Sequence, residues 1–184
     1  MSKKDTYTKA DYINFDTATN KALKLLTTKN KNLGLYIIVS INSGLRASDV
    51  LELTFEQLRS DLIDIIEKKT KKRRVIKVND NIKSALRCFD GFEGLAFKSQ
   101  KNSVFTVQQI NRKLKALFNI EAKSNNISTH SLRKTFGRRV YENNNESEKA
   151  LMYLSELFSH SSIAVTRIYL GIRQEELNNI YINL

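Results

Sequence analysis

The chain has 184 residues and carries 31 Lys and Arg against 19 Asp and Glu, a formal net charge of +12. At 41% hydrophobic and 27% charged residues it has the composition of one globular domain with a closed core, which argues against wholesale disorder. No apolar run reaches the roughly 18 residues that cross a bilayer, no apolar segment follows the basic N-terminus, and the lone Cys88 forms neither an internal disulfide nor a multi-cysteine zinc site, so a reducing, cytoplasmic setting with no membrane partner is expected.

There is no proline, where average usage would give roughly nine, so turns fall to six glycines and to asparagine. Residues 8–28 read as a helix opening at Thr8, with Ala10, Ile13, Ala18, Ala22, Leu25 and Leu26 as its apolar stripe. Residues 33–43 carry Leu33, Ile37, Ile41 and, just beyond, Leu45 at steps of four, and Gly44 ends that helix; a short helix over 48–53 follows, capped by Ser48. The period then changes to two. Leu62-Ile63-Asp64-Ile65-Ile66-Glu67 and Arg74-Val75-Ile76-Lys77-Val78 are β-branched and flank 68–73, which predicts an antiparallel hairpin with a basic turn. Helices resume over 82–89, 107–118, 131–141 and 147–158, and a last amphipathic helix places Leu177, Ile180, Tyr181 and Leu184 at offsets 0, 3, 4 and 7. The expected fold is mainly α with a small antiparallel β-sheet, without internal repeats or linkers.

An excess of positive charge points to a polyanion, because Lys and Arg that neutralise phosphates release counterions. Nucleic acid leads and an anionic membrane surface follows; the plainer reading is that a basic pI serves solubility. Lys68, Lys69, Lys71, Lys72, Arg73, Arg74 and Lys77 are opposed locally only by Glu67. Such a run is either a solvated face or, on a projecting turn, a contact with a DNA backbone.

The two histidines lie in helix-starting contexts, Ser128-Thr129-His130-Ser131-Leu132-Arg133-Lys134 and Phe158-Ser159-His160-Ser161-Ser162. On a helix His130 and Arg133 share a face, an acid/base group beside a fixed cation, while Leu132, Phe136 and Val140 line a face that can be buried. Each histidine taken alone is more often an ordinary surface or core residue, and Tyr169, one of seven tyrosines, more often a packing residue. Arg46, just past Gly44, either aims its fork at a phosphate or pairs with Asp49 three residues on. The glycines form neither a P-loop nor a dinucleotide fingerprint, the histidines lack zincin spacing, and no nucleophile elbow surrounds the serines beside them.

Together, Gly44-Leu45-Arg46-Ala47-Ser48-Asp49-Val50, the basic hairpin, His130-x-x-Arg133 and His160-Ser161-Ser162 followed nine residues after His160 by Tyr169 resemble, in order and spacing, the catalytic domain of the tyrosine recombinases, or phage integrases, over about residues 8–184. The resemblance implies a recombinase that cleaves and rejoins duplex DNA through a 3′-phosphotyrosyl link, leaving a free 5′-hydroxyl. It makes Tyr169 the nucleophile, Arg46 and Arg133 the clamp on the scissile phosphate, His130 a general acid/base and His160 a hydrogen-bond partner of the phosphate. The hairpin lysine that protonates the leaving 5′-oxygen aligns best with Lys69, with Lys71 and Lys72 open. Lys68, Lys71, Lys72, Arg73, Arg74 and Lys134 are then DNA-backbone candidates, and Asp49 is structural.

Because the phosphotyrosine conserves the bond energy, the resemblance calls for no cofactor, neither metal nor nucleotide. It implies double-stranded DNA as partner, a tetramer on DNA, accessory DNA-bending proteins, association with the nucleoid and a bacterial or phage origin. Lys134 stands where many members have a second histidine, and Phe158-Ser159 replaces a common Leu-Gly. About 30 residues precede Gly34, where typical members carry a DNA-clamping domain, so the expectation is one catalytic domain over 1–184, or a catalytic fragment, with no N-terminal core-binding domain, a flexible stretch over 1–7 and a C-terminal helix over 173–184 that docks in trans or on its own domain. The alternative function is a recombinase-like DNA-binding regulator that does not cut; a supercoil-relaxing enzyme is a third.

Overall fold

The computed structural model describes residues 10–99, 102–118 and 126–182, without the side chains of 174–177. Among the described residues there are ten α-helices and one two-stranded sheet, as the sequence predicts in kind. Helix α1 (Phe15–Leu26) starts later than expected. Asn14 caps it, its side chain accepting from the Thr17 N–H at 3.0 Å, and residues 10–14 are not helical. Those residues are tied elsewhere: Thr135 Oγ1 accepts from the Ile13 N–H at 3.0 Å and donates to the Ile13 carbonyl at 2.6 Å. Thr8 and the expected flexible stretch over 1–7 lie outside the described residues.

Helix α2 (Lys31–Ser43) is buried over most of its length, with Leu35, Ile37, Ile38 and Ile41 essentially inaccessible. At about 1.5–3 kcal/mol per fully buried aliphatic side chain, it is the element around which the main core forms. It packs closely on α1, and a Cβ at Gly34 would lie 2.7 Å from the Ala22 carbonyl oxygen. Gly44 ends α2 with φ +61°, and the Phe136 ring fills the space that a side chain there would need. Only glycine meets both conditions.

The chain then makes α3 (Ala47–Val50) and α4 (Phe55–Arg59). Arg46, not Ser48, holds the N-cap position of α3. Helix α4 lies outside the sequence-predicted elements; a reciprocal capping box between Thr54 and Gln57 fixes it. Strands β1 (Leu62–Ile66) and β2 (Arg73–Lys77) pair antiparallel with Ile63 opposite Ile76 and Ile66 opposite Arg73. Ile63 faces the core while Leu62, Ile66 and Val75 are exposed, so the hairpin is held by one face.

Helix α5 (Asp80–Leu86), a 3₁₀ turn (Arg87–Phe89) and α6 (Val107–Phe118) complete the main core. Helices α7 (Thr129–Asn143), α8 (Glu148–Phe158), α9 (Ile163–Leu170) and α10 (Ile172–Ile182) follow. Tyr141, Leu151, Leu154, Phe158, Tyr169, Leu170 and Ile172 form a second cluster among them. No described helix is long and apolar enough to cross a membrane. On α10 Ile180 and Tyr181 are exposed, so this part of the expected stripe is not buried on its own domain; the Leu177 side chain and Leu184 lie outside the described residues.

Candidate active site

The seam between the two cores gathers the residues singled out by sequence. Gly44 turns the chain so that Arg46 enters α3 in extended conformation (φ −70°, ψ 151°). Arg46 Nη1 donates to Glu67 Oε2 at 2.6 Å and Nη2 to the Phe158 carbonyl at 3.1 Å. The alternative pairing with Asp49 is not formed. Asp49 is buried and its Oδ1 accepts from the Lys68 backbone N–H at 3.0 Å, which fastens the hairpin to α3.

Arg133 reaches the same place from α7, whose start is set by a capping box at Ser128 and by Asn111 Oδ1, which accepts from the Thr129 N–H at 2.8 Å. Arg133 is 6% exposed; its guanidinium donates to the carbonyls of Gly44 at 2.7 Å and Phe158 at 3.4 Å, and stacks 4.4 Å from the Phe158 ring centroid. Burial, and behind it the charges of Arg46 and Arg74, lowers its pKa to about 10, against the opposing pull of Tyr169 and Glu67. The C-terminal end of α8, where carbonyls carry partial negative charge, thus holds two like-charged side chains together.

Tyr169 sits in the last turn of α9 and is 9% exposed, its ring 5.1 Å from that of His160 and 5.5 Å from that of Phe158. Its buried hydroxyl makes no hydrogen bond within 3.5 Å to any described residue. Burial pushes its pKa up to about 12, while Arg133 and Arg46 pull the other way. A phenol in this setting stays protonated at neutral pH.

His160 Nδ1 lies 2.9 Å from Thr166 Oγ1. The same hydroxyl lies 3.4 Å from the Ser162 carbonyl, and the tautomer in which Thr166 donates to Nδ1 is the one that leaves Nε2–H free to donate. Burial first, then Arg133 and Arg46, brings His160 down to about 4. His130, exposed in the first turn of α7, is also held below the usual range by partial burial and by Arg133, Lys134, Lys69 and Arg46. Both shifts favour the neutral imidazole. Lys69 is among the cations that lower His130.

The remaining basic residues separate into two groups. Lys69, Lys71, Lys72 and Arg73 are exposed, Arg73 in a bidentate pair with Asp64, and Lys68 pairs with Glu52. Arg74 does not project as expected. Its side chain is 11% exposed and turns inward to Glu67 Oε1, the Leu157 carbonyl and the Ser43 carbonyl, each at 3.2 Å. Lys134 is likewise buried, its Nζ 5.1 Å from the Tyr169 ring centroid. Both stand behind the site rather than on its rim, because strand alternation and helix phase turn them toward the protein. Glu67, Thr166 and the Phe158 carbonyl were not picked out by sequence; Glu67 alone left a signal, as the lone acid beside a basic run.

A profile of the phage integrase family matches residues 16–176. The chain is 32% identical over 164 residues to the Bacillus subtilis (strain 168) protein described as probable integrase/recombinase YoeC, covering 85% of this chain and 86% of that one. It is 28% identical over 153 residues to tyrosine recombinase XerC of Caldanaerobacter subterraneus subsp. tengcongensis, but spans only 41% of that protein. In fold it resembles XerA recombinase (TM-score 0.66, 17% identity, 98% of this chain and 66% of that one) and the catalytic domain of bacteriophage HP1 integrase (TM-score 0.60, 21% identity, 89% and 88%). A structure of XerH site-specific recombinase bound to palindromic difH substrate matches with TM-score 0.65 at 20% identity, over 96% of this chain and 53% of that one. The family profile and the identity to the B. subtilis relative, with the helical fold around one hairpin, establish that the chain belongs to the phage integrase family, the tyrosine recombinases.

Proposed function

We propose that this chain is a site-specific recombinase that cleaves and rejoins double-stranded DNA through a phosphotyrosyl intermediate on Tyr169. The observation that carries this reading is that Arg46 and Arg133 converge on the Phe158 carbonyl at 3.1 and 3.4 Å while the buried Tyr169 packs its ring 5.5 Å from that of Phe158. A phosphate seated on the two arginines would meet the Tyr169 hydroxyl. Each arginine has two nitrogens already bonded to the protein and keeps further N–H groups of its five for the phosphate.

In cleavage the Tyr169 oxygen bonds to phosphorus as the P–O5′ bond breaks. The tyrosine proton passes to neutral His130, and the 5′-oxygen takes a proton from Lys69. His160 donates Nε2–H to a non-bridging oxygen, and the arginines stabilise the extra charge of the pentavalent state. Rejoining runs the same steps backwards with a 5′-hydroxyl from the partner strand. The exposed Lys69, Lys71, Lys72 and Arg73 of the hairpin follow the DNA backbone.

The chain acts as one catalytic domain, in a tetramer on DNA assisted by DNA-bending proteins, at the bacterial nucleoid, the protein being of bacterial or phage origin. The exposed Ile180, Tyr181 and Ile182 of α10 support docking of this helix on a neighbouring copy. Sequencing DNA captured as covalent adduct in cells tests the chemistry and identifies the site together. A protein that occupies specific DNA and never yields adduct would instead be a binding regulator.

A further inference from the structure

Glu67 lies between the hairpin and the arginine pair, and the reaction written above does not use it. Its carboxylate is buried and accepts three side-chain bonds: Oε2 from Arg46 Nη1 and Thr70 Oγ1, both at 2.6 Å, and Oε1 from Arg74 Nη1 at 3.2 Å. Its backbone closes the turn, the N–H donating to the Lys72 carbonyl and the carbonyl accepting from the Lys71 N–H, each at 2.9 Å. One residue is therefore both the base of the turn that bears Lys69 and the anion against Arg46.

A negative charge in a site built for a phosphate lowers the attraction for substrate, so neutralisation of buried cations is its simplest role. That role does not require Thr70. The Thr70 hydroxyl adds a bond to the oxygen that also holds Arg46, and Thr70 directly follows Lys69 in the chain. Arg46 is oriented by this contact without being used up, since most of its N–H groups stay free of Glu67.

We propose that Glu67 is the positioning residue that registers the hairpin turn on Arg46, so that Lys69 delivers its proton to the 5′-oxygen of the phosphate that Arg46 holds. This rests on the assignments of Lys69 and Arg46 made above. Lost registry then acts on the leaving group through Thr70 and on the phosphate through Arg46.

The test uses the full chain and two synthetic duplexes of the sequence recovered by adduct capture, nicked to trap the intermediate. One carries oxygen and the other sulfur as the bridging 5′ atom; a thiol, with pKa about 8.5, leaves without a proton. Thr70→Val is expected to slow single-turnover cleavage of the oxygen duplex by about 10- to 100-fold, the scale of lost orienting partners, and to regain the wild-type rate on the sulfur duplex, while Thr70→Ser cleaves both normally. Glu67→Gln is expected to slow both duplexes, because Arg46 loses its anchor, with DNA affinity no weaker than wild type. Full-rate cleavage by Thr70→Val, absence of relief by sulfur, or a Glu67→Gln defect confined to affinity would overturn the proposal. If the wild-type chain gives no adduct on either duplex, the assigned reaction itself fails; if it cleaves and the variants do as well, only the positioning role does.

Discussion

Arg46 and Arg133 donate to the same oxygen, the Phe158 carbonyl, at 3.1 and 3.4 Å. Two residues 87 positions apart in sequence are thereby held side by side at the end of α8, where the proposed reaction seats its phosphate. Preorganisation of this kind removes reorganisation from the reaction step. It predicts that Arg133→Lys, which keeps the charge and loses the fork, lowers the cleavage rate by about 10²–10³-fold, the cost of one lost donor to a developing charge. Single-turnover cleavage compared with equilibrium DNA binding checks this; loss in binding alone would show that charge, not geometry, is what matters.

Gly44 supplies the turn that sends Arg46 to that carbonyl. Alanine there faces both the left-handed backbone and the Phe136 ring, and Gly44→Ala is expected to destabilise by more than about 1 kcal/mol, with cleavage falling as well. Chemical denaturation reads the first effect. Phe136→Ala added to Gly44→Ala should recover less than the whole, because the backbone strain remains.

The two inward and outward classes of hairpin cation behave differently. Arg74→Ala is expected to cost about 1.5–3 kcal/mol of stability, as a bond to a buried charge is lost. Lys71→Ala and Lys72→Ala should stay within about 0.5 kcal/mol of wild type and instead lower the slope of log affinity against log salt by about one each. Salt titrations of DNA binding beside thermal melts separate the classes.

His160 is lowered to about 4 in the folded protein from an ordinary value near 6.5. The unfolded chain binds the proton more readily, so the contribution of His160 to stability is whole above about pH 6.5 and is lost as pH falls toward 4. Comparing stability of wild type and His160→Asn across that range isolates it from the carboxylates. The variant should show the flatter profile; parallel profiles would place the titration elsewhere.

Much of this was legible from spacing. Helix α2 and its stop at Gly44, the hairpin and the position of α6 follow from period and caps, which are local properties, whereas the set Arg46, Lys69, His130, Arg133, His160 and Tyr169 comes only from the resemblance to the family. The start of α1 was misplaced because the ties of Ile13 to Thr135 lie 122 positions away. Arg74 and Lys134 were expected on the surface because residue type carries no record of which way a side chain turns. Glu67 had the weakest signal for its place: its partners Arg46 and Arg74 converge only when the hairpin folds onto α3.

The central claim is that Tyr169 makes the covalent bond to DNA. A nicked duplex carrying the chain's own site, incubated with the protein and digested to peptides, should yield one nucleotide-bearing peptide, with the mass shift on Tyr169. Tyr169→Phe should give none while remaining folded and bound to DNA, since the lost hydroxyl has no hydrogen-bond partner among the described residues. An adduct that persists in Tyr169→Phe, or that maps to another residue, would contradict the account.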